Sequence, residues 1–83
     1  MSRQVKLVER FLRDPPDLDF ESVQLLLEAF GFFEVRVNGS HHVFRDPRGR
    51  IFVVPKLDGR RVRRTYLRRI VAMLDLEGWY EER

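Results

Sequence analysis

The sequence predicts a small α+β domain in which helices cover one face of a three-stranded antiparallel sheet. Its 83 residues are enough for one domain with a single core. Segments with helical apolar spacing lie on both sides of a central region in which apolar and polar residues alternate. Turn sequences at Asn38-Gly39 and at residues 46–49 divide that region into three strands. The predicted order is therefore α-α-β-β-β-α.

The first predicted helix covers residues 3–13, where Val5, Val8, Phe11 and Leu12 follow helical spacing. Pro15-Pro16 must end it near Asp14, because proline disfavours helix at the residue before it. This apolar stripe is too short to be stable alone in water. We therefore expect the helix to pack on the domain, on a second subunit or on a partner.

The second predicted helix begins after Asp19, whose side chain can cap the free amides of the first turn, and runs to about Phe30. Its buried stripe consists of Phe20, Val23, Leu26, Leu27 and Phe30. Gly31 supplies the left-handed stop. The first strand is expected to follow from about Phe32.

Asn38-Gly39 is a strong hairpin signal, since a type I′ turn requires positive φ at both central residues. With these two residues as the loop, Arg36 lies opposite His41 on an open face that also carries Glu34 and Val43. The core face then carries Phe33, Val35, His42 and Phe44. If the turn is not Asn-Gly, the two histidines exchange roles.

The second turn, at residues 46–49, has the Asp, Pro and Gly positions of a type I turn. The third strand, residues 50–55, is apolar on both faces from Ile51 to Val54. We therefore expect the first helix or another protein to cover part of the open face. Alternatively, a bulge at Gly49 shifts the register.

After a basic connection, residues 56–64, the last helix is predicted over residues 65–76 and is ended by Gly78, with Trp79-Tyr80 as a cap. The predicted organisation is one domain, residues 1–83. It comprises an N-terminal appendage helix with a Pro-Pro linker (1–16), a core (17–78) and a charged tail (79–83).

The basic charge is concentrated in the middle of the chain. Residues 35–69 carry eleven Lys or Arg and two Asp, a net charge of +9, whereas the remainder carries −6. This asymmetry favours a localised anion-binding surface.

The chain has no cysteine for a disulfide or thiol nucleophile, and no apolar run long enough to span a membrane. These features predict a soluble, cytoplasmic protein without membrane association.

The central motifs resemble the HicA family of toxins. They are Gly39-Ser40-His41-His42-Val43-Phe44, the turn at 46–50, Val53-Val54-Pro55, and Thr65 opening the closing helix. The resemblance implies a fold like a double-stranded-RNA-binding domain and a ribonuclease that cleaves mRNA. It also implies neutralisation by a HicB-type antitoxin. The family's catalytic residue is the first histidine of this motif, here His41. Many members have His-Pro after Val-Pro, whereas this chain has Lys56-Leu57.

RNA cleavage without a metal needs proton transfer at the 2′-hydroxyl and at the leaving 5′-oxygen, and histidine can perform either step near neutral pH. We predict His41 as general base or acid, with Arg36 and Lys56 as cations that stabilise the phosphate. Ser40 is either a phosphate contact or only a turn residue. Gly39 serves the turn, and His42 orients the hairpin from the core side.

Arginines around the start of the last helix form the predicted RNA-binding surface: Arg60, Arg61, Arg63, Arg64 and Arg68. Alternatively, they dock an acidic antitoxin or form a solvated face.

The sequence contains no cofactor motif and no metal-ligand spacing. The sequence leaves open a homodimer or a toxin–antitoxin hetero-oligomer. Two other functions remain open, a non-catalytic RNA- or DNA-binding module of the same fold and a protein-interaction domain.

Overall fold

The computed structural model describes residues 2–83, with four helices and five strands. In chain order they are α1 (Arg3–Leu12), β1 (Asp17–Asp19), α2 (Phe20–Ala29), β2 (Phe33–Asn38), β3 (His41–Arg45), β4 (Ile51–Pro55), β5 (Arg61–Arg63), α3 (Arg64–Met73) and α4 (Leu76–Glu82). Strands β2, β3 and β4 form an antiparallel three-stranded sheet in that order. The α+β class is confirmed, and the architecture is compatible with a double-stranded-RNA-binding-domain-like fold.

The first helix is part of the core rather than separate from it. Leu7, Val8 and Phe11 are buried in the same apolar cluster as the residues of α2 and α3. The Tyr80 hydroxyl of α4 donates a hydrogen bond of 2.6 Å to Glu9. Of the three packing partners considered from the sequence, α1 therefore packs on its own domain.

Two short strands and one helix were not predicted. β1 pairs antiparallel with β5, so that Leu18 lies opposite Val62, and both are buried. These strands have three residues each, which is too short to show an alternating pattern. They lie in segments assigned from the sequence to a helix entry and to a basic connection.

The prediction that Gly78 ends the last helix is wrong. α3 ends at Met73, and Asp75, with a φ of 48°, starts the separate helix α4. Gly78 lies inside α4, where its N–H donates to the Asp75 carboxylate at 3.3 Å. A Cβ atom at position 78 would collide with that carboxylate. Glycine is therefore required by the N-cap of α4, and residues 79–82 are helical.

The hairpin loop lies one residue later than predicted, so that the strand partners nearest the loop differ by two residues from the prediction. The loop consists of Gly39 and Ser40, and Asn38 pairs with His41 instead of belonging to the turn. Gly39 has a φ of +62°, whereas Ser40 does not have a positive φ, as in a type II′ turn with glycine first. The register changes again between Glu34 and Arg36, where Val35 forms a bulge.

The two faces of the sheet differ sharply. The core face carries His42, Phe44, Phe52 and Val54, all buried. The opposite face, called the open face below, has three rows of paired residues, which are Asn38–His41–Pro55, Arg36–Val43–Val53 and Phe33–Arg45–Ile51.

Two assignments to the core face are wrong: Phe33 pairs with Arg45 on the open face and is 56% exposed, and Val35 lies in the bulge, outside the strand pairing, and is 60% exposed. Glu34 was assigned to the open face, yet it pairs with Phe44 and contacts His42 on the core face. The bulge at Val35 reverses the alternation of side chains before it.

Two of the explanations offered for the doubly apolar third strand, a bulge at Gly49 and coverage by the first helix, are wrong, whereas coverage by another protein stays a prediction. β4 pairs with β3 in an unbroken register, so no bulge shifts it. α1 packs against the other helices on the core side. Ile51 and Val53 are 58% and 40% exposed on the open face. Within residues 2–83 this face is therefore uncovered.

Candidate nucleic-acid interface and catalytic site

His41 lies at the first position of β3, directly after the hairpin loop. It is exposed on the open face, between its cross-strand neighbours Asn38 and Pro55. No hydrogen bond or ion pair within residues 2–83 engages its ring. An imidazole so placed is available to exchange protons with a bound molecule.

Arg36 is on the same face as His41, but it is not directly opposite as predicted. It pairs with Val43, one row farther along the sheet, which corresponds to roughly 7 Å along a strand. Arg45 is one row beyond that. The structure gives neither arginine a carboxylate partner within residues 2–83, and none of the nine residues in the three rows is acidic. The open face therefore combines a histidine with two unneutralised guanidinium groups.

His42 faces the core, as the sequence predicted. Its Nδ1 lies 2.6 Å from Glu34 Oε2, and its ring centroid lies 4.5 Å from that of Phe20. The residue is only 7% exposed. Although the turn is not Asn-Gly, the two histidines do not exchange faces, because moving the loop by one residue shifts the pairing of β2 with β3 by two residues, and an even shift leaves each side chain on its face. His42 is thus placed to hold the hairpin against α2.

Lys56 does not share the face of His41. Its Nζ lies 4.8 Å from the centroid of the Phe20 ring, on the side of the sheet that carries His42. Its backbone N–H donates to the Ser40 carbonyl at 2.8 Å, which closes the end of the sheet behind the hairpin loop. The chain thereby brings Lys56 and Ser40 together, but directs the ammonium group away from the open face.

A groove of about 750 Å³ lies at this end of the sheet. It is lined by Pro16, Asp17, Ser40, Lys56, Leu57, Asp58, Arg61, Arg63, Arg64 and Thr65. Four of these side chains are cationic and two are acidic. The first turn of α3 contains no acidic residue, and no side chain caps it. Since Ser40 precedes His41 in the chain, the groove begins one residue from the candidate catalytic histidine.

The predicted RNA-binding arginines are largely engaged by carboxylates within the protein. Arg60 pairs with Glu21, and the Nε of Arg61 donates to Asp17 at 3.0 Å. Arg68 donates to both carboxylate oxygens of Asp14, at 2.8 and 2.7 Å.

The remaining two arginines of this group are less constrained. The Nε of Arg64 lies 3.7 Å from Asp14 Oδ1, and it donates a hydrogen bond of 3.2 Å to the Pro15 carbonyl. Arg63 has no ion-pair or hydrogen-bond partner for its side chain within residues 2–83. Arg63 and Arg64 both line the groove. They are the members of this group best placed to meet an external anion.

The ion pairs also affect protonation. The hydrogen bond from Arg68 lowers the pKa of Asp14 below its usual value, and the hydrogen bond from Arg60 does the same for Glu21. In return, the pKa values of Arg60 and Arg68 are raised. These carboxylates remain charged over the whole neutral range. They therefore neutralise the neighbouring arginines under ordinary conditions.

Three residues of this region were missed as site candidates. Glu34 contacts His42, while Phe33 and Arg45 extend the open face. For Phe33 and Glu34 the cause was the unrecognised bulge at Val35, since an unbroken alternation placed Phe33 in the core and Glu34 on the open face. Gly39 before Ser40 could have indicated the correct loop, because glycine at the first of two loop positions is typical of a type II′ turn, but no residue pattern in β2 indicated the bulge.

Two further observations concern metal binding and membrane spanning, and both refer to the residues that the structure describes. No group of three or more His, Cys, Asp or Glu side chains within residues 2–83 is arranged to hold a metal ion. Within the same range, no helix has the length and apolar character needed to cross a membrane.

Comparison with known proteins identifies the family. A sequence profile described as the HicA toxin of bacterial toxin–antitoxin systems matches residues 21–77, which is more than half of the chain. The matched segment runs from the first turn of α2 into α4 and includes the hairpin, the open face and eight of the ten residues that line the groove. Searches among curated proteins and among solved structures gave no significant match. The chain therefore belongs to the HicA family, the toxins of bacterial toxin–antitoxin systems.

Proposed function

We propose that this toxin is an endoribonuclease that cleaves mRNA, with His41 as the catalytic acid or base. The observation that carries the proposal is the exposure of this histidine on a face where the only ionic side chains in the three rows are cationic. RNA is polyanionic, and its cleavage requires proton transfer next to a phosphate. The adjacent His42 lacks this setting, because it is buried and hydrogen-bonded to Glu34.

The reaction needs few protein groups. The 2′-oxygen attacks the adjacent phosphorus while its proton passes to a base, the bond from phosphorus to the 5′-oxygen breaks, and the departing oxygen receives a proton. This leaves a 2′,3′-cyclic phosphate and a 5′-hydroxyl. His41 takes or gives one of these protons, and solvent can supply the other transfer. Negative charge on the phosphate increases in the transition state, and Arg36 in the next row is the best-placed cation to stabilise it.

The remaining predicted residues are assigned secondary roles. Ser40, Arg63 and Arg64 line the groove beside His41, where they can contact the RNA backbone on either side of the cleaved bond. Lys56 also lines the groove and is assigned an RNA contact there. Gly39 sets the turn, and His42 orients the hairpin through Glu34. Arg60, Arg61 and Arg68 are assigned a structural role, because carboxylates already engage them.

Membership in a toxin family supports a second part of the proposal. We assign neutralisation to a HicB-type antitoxin, and we place the activity in the cytoplasm, where mRNA is translated. The uncovered apolar residues Ile51 and Val53 are compatible with such a partner covering the open face.

The test is cleavage of a defined single-stranded RNA by purified protein in excess EDTA. His41→Ala should lower the rate by about 10²- to 10⁴-fold, the range typical of a lost acid or base. Asn38→Ala is the matched control, since it changes the exposed cross-strand neighbour of His41 without removing a proton-transfer group. It should retain most of the activity.

Two results would contradict the proposal. Equal cleavage by the original chain and by His41→Ala would remove the assignment of this histidine and point to a contaminating nuclease. Binding of RNA by both proteins with cleavage by neither would instead support a non-catalytic nucleic-acid-binding module.

A further inference from the structure

The open face carries a large aromatic side chain that the proposed chemistry does not use. Phe33 is 56% exposed, whereas the other six phenylalanines are either buried in the core cluster or packed against it. It is paired with Arg45 at the end of the face farthest from His41. We propose that Phe33 is a stacking platform for an unpaired base of the RNA substrate, beside a phosphate contact at Arg45. This inference rests on the proposed ribonuclease function.

The charge of the surroundings favours a nucleic acid as the occupant. Arg36 and Arg45 have no carboxylate partners within residues 2–83, and the rows that include them contain no acidic residue. Exposed aromatic side chains beside unneutralised arginines form the usual binding surface for single strands, where bases stack and cations follow the backbone. An uncharged partner would gain nothing from these two cations.

The spacing fits one continuous strand. Arg45 is four residues from His41 along β3, which corresponds to roughly 13 Å. Phe33 lies in the same row as Arg45, and Arg36 lies in the row between them and His41. An RNA with its cleaved phosphate at His41 can therefore pass Arg36 and place a base a few nucleotides away on Phe33.

The platform requires a single-stranded substrate. In a duplex, each base is stacked on both sides and paired, so neither of its faces is free to lie on a side chain. When aromatic residues project from the face of a protein sheet, unpaired bases stack on them in this way. Phe33 thus selects unpaired regions of an RNA. The fold alone, which resembles a double-stranded-RNA-binding domain, would not impose this selection.

The experiment measures affinity for one RNA sequence, presented either as a single strand or within a duplex. All variants are made in the His41→Ala background, so that the RNA is not cut. Phe33→Ala should weaken single-strand binding about 5- to 150-fold, the range for loss of one stacked base, and should leave duplex binding unchanged. Phe33→Leu should be similarly weakened, whereas Phe33→Trp should bind normally.

Val37→Ala is the matched control. Val37 is on the same strand and is 50% exposed, but it pairs with His42 and so faces the other side of the sheet. Its loss should not change the affinity. As a direct readout, the fluorescence of Phe33→Trp should be quenched by single-stranded RNA above the background of Trp79, whereas Val37→Trp should not respond.

The outcomes separate this inference from the function on which it rests. If the chain with His41 intact cleaves RNA and Phe33→Ala binds as well as the parent, the platform is excluded and the ribonuclease stands. If Phe33→Leu binds as well as Phe33→Trp, the contact is merely apolar, as expected for a protein partner, and base stacking is excluded. If the parent neither binds nor cuts RNA, both proposals fail.

Discussion

The open face and the arginine-rich segment from Arg60, directly before β5, to Arg68 in α3 (the β5–α3 segment) are both basic, but they differ in whether carboxylates neutralise their charge. In the β5–α3 segment, Arg60, Arg61 and Arg68 are each paired with a carboxylate of the N-terminal quarter of the chain. On the open face, Arg36 and Arg45 have no such partner within residues 2–83. The number of arginines therefore overestimates the net positive charge of the β5–α3 segment relative to that of the open face. What matters for binding an anion is the charge left unneutralised after folding.

The sharpest test of this comparison exchanges arginine for glutamine on each surface. Arg36→Gln with Arg45→Gln should reduce the slope of log affinity for single-stranded RNA against log salt by about 1.4, because each lost phosphate contact accounts for about 0.7. The measurement is a salt titration of binding by His41→Ala protein.

Arg60→Gln with Arg61→Gln is the matched control, since it removes the same formal charge from the neutralised surface. It should change the slope much less. If the two double variants have equal effects, intramolecular pairing does not decide which arginines contact RNA, and the comparison fails.

A smaller effect should follow from releasing the paired arginines. Asp14→Asn removes the carboxylate that holds Arg68 and lies near Arg64. The β5–α3 segment should then resemble the open face, and the salt slope should rise by about 0.7 for each new phosphate contact. An unchanged slope would show that these side chains cannot reach the RNA even when free.

The smallest expected effect is on stability as the pH falls. The pKa of Asp14 is lowered by its hydrogen bond from Arg68, so the ion pair stabilises the fold above the usual pKa of 3.8. That contribution is lost as the pH falls through the lowered pKa in the folded state. Asp14→Asn should therefore be less stable than the original chain at about pH 7, and the difference should be smaller at about pH 2.

Chemical denaturation of both proteins at the two pH values measures this difference. Because the pair is exposed, the difference at neutral pH should be small and should shrink further in high salt. A difference that persists unchanged in acid would mean that Asp14 acts through something other than its charge.

Much of the local structure was predictable because its causes lie within a few residues. The Asp19 side chain accepts from the Ser22 N–H at 2.9 Å and begins α2, as its position indicated. Gly31, with a φ of +88°, ends that helix, and the Asp46 carbonyl accepts from the Gly49 N–H at 3.0 Å in the predicted second turn. The apolar stripes of these segments likewise indicated which faces are buried. The family profile then confirmed the resemblance seen in the hairpin motif.

The candidate site was predictable only in part. The facing of His41 and His42 was correct, although the register used to derive it was wrong. The loop moved by one residue, which shifted the pairing by two residues and left the faces of His41, His42 and Arg36 unchanged. The bulge at Val35 then changed the register by one residue and reversed the assignments of Phe33 and Glu34. A bulge depends on how a strand packs against its neighbours, and the alternation of residue types does not reveal it.

The sequence by itself determined elements that depend on neighbours in the chain: both ends of α2, the turn at residues 46–49, the amphipathic helices and the motif that identifies the family. The tertiary structure alone decided which cations remain free. Asp14 and Arg68 are 54 residues apart, and Asp17 and Arg61 are 44 apart. Each becomes a pair only because α1 joins the core and β1 pairs with β5. The electrostatic energy of an ion pair depends on the distance between the two charges in space, and this distance cannot be read from their separation along the chain.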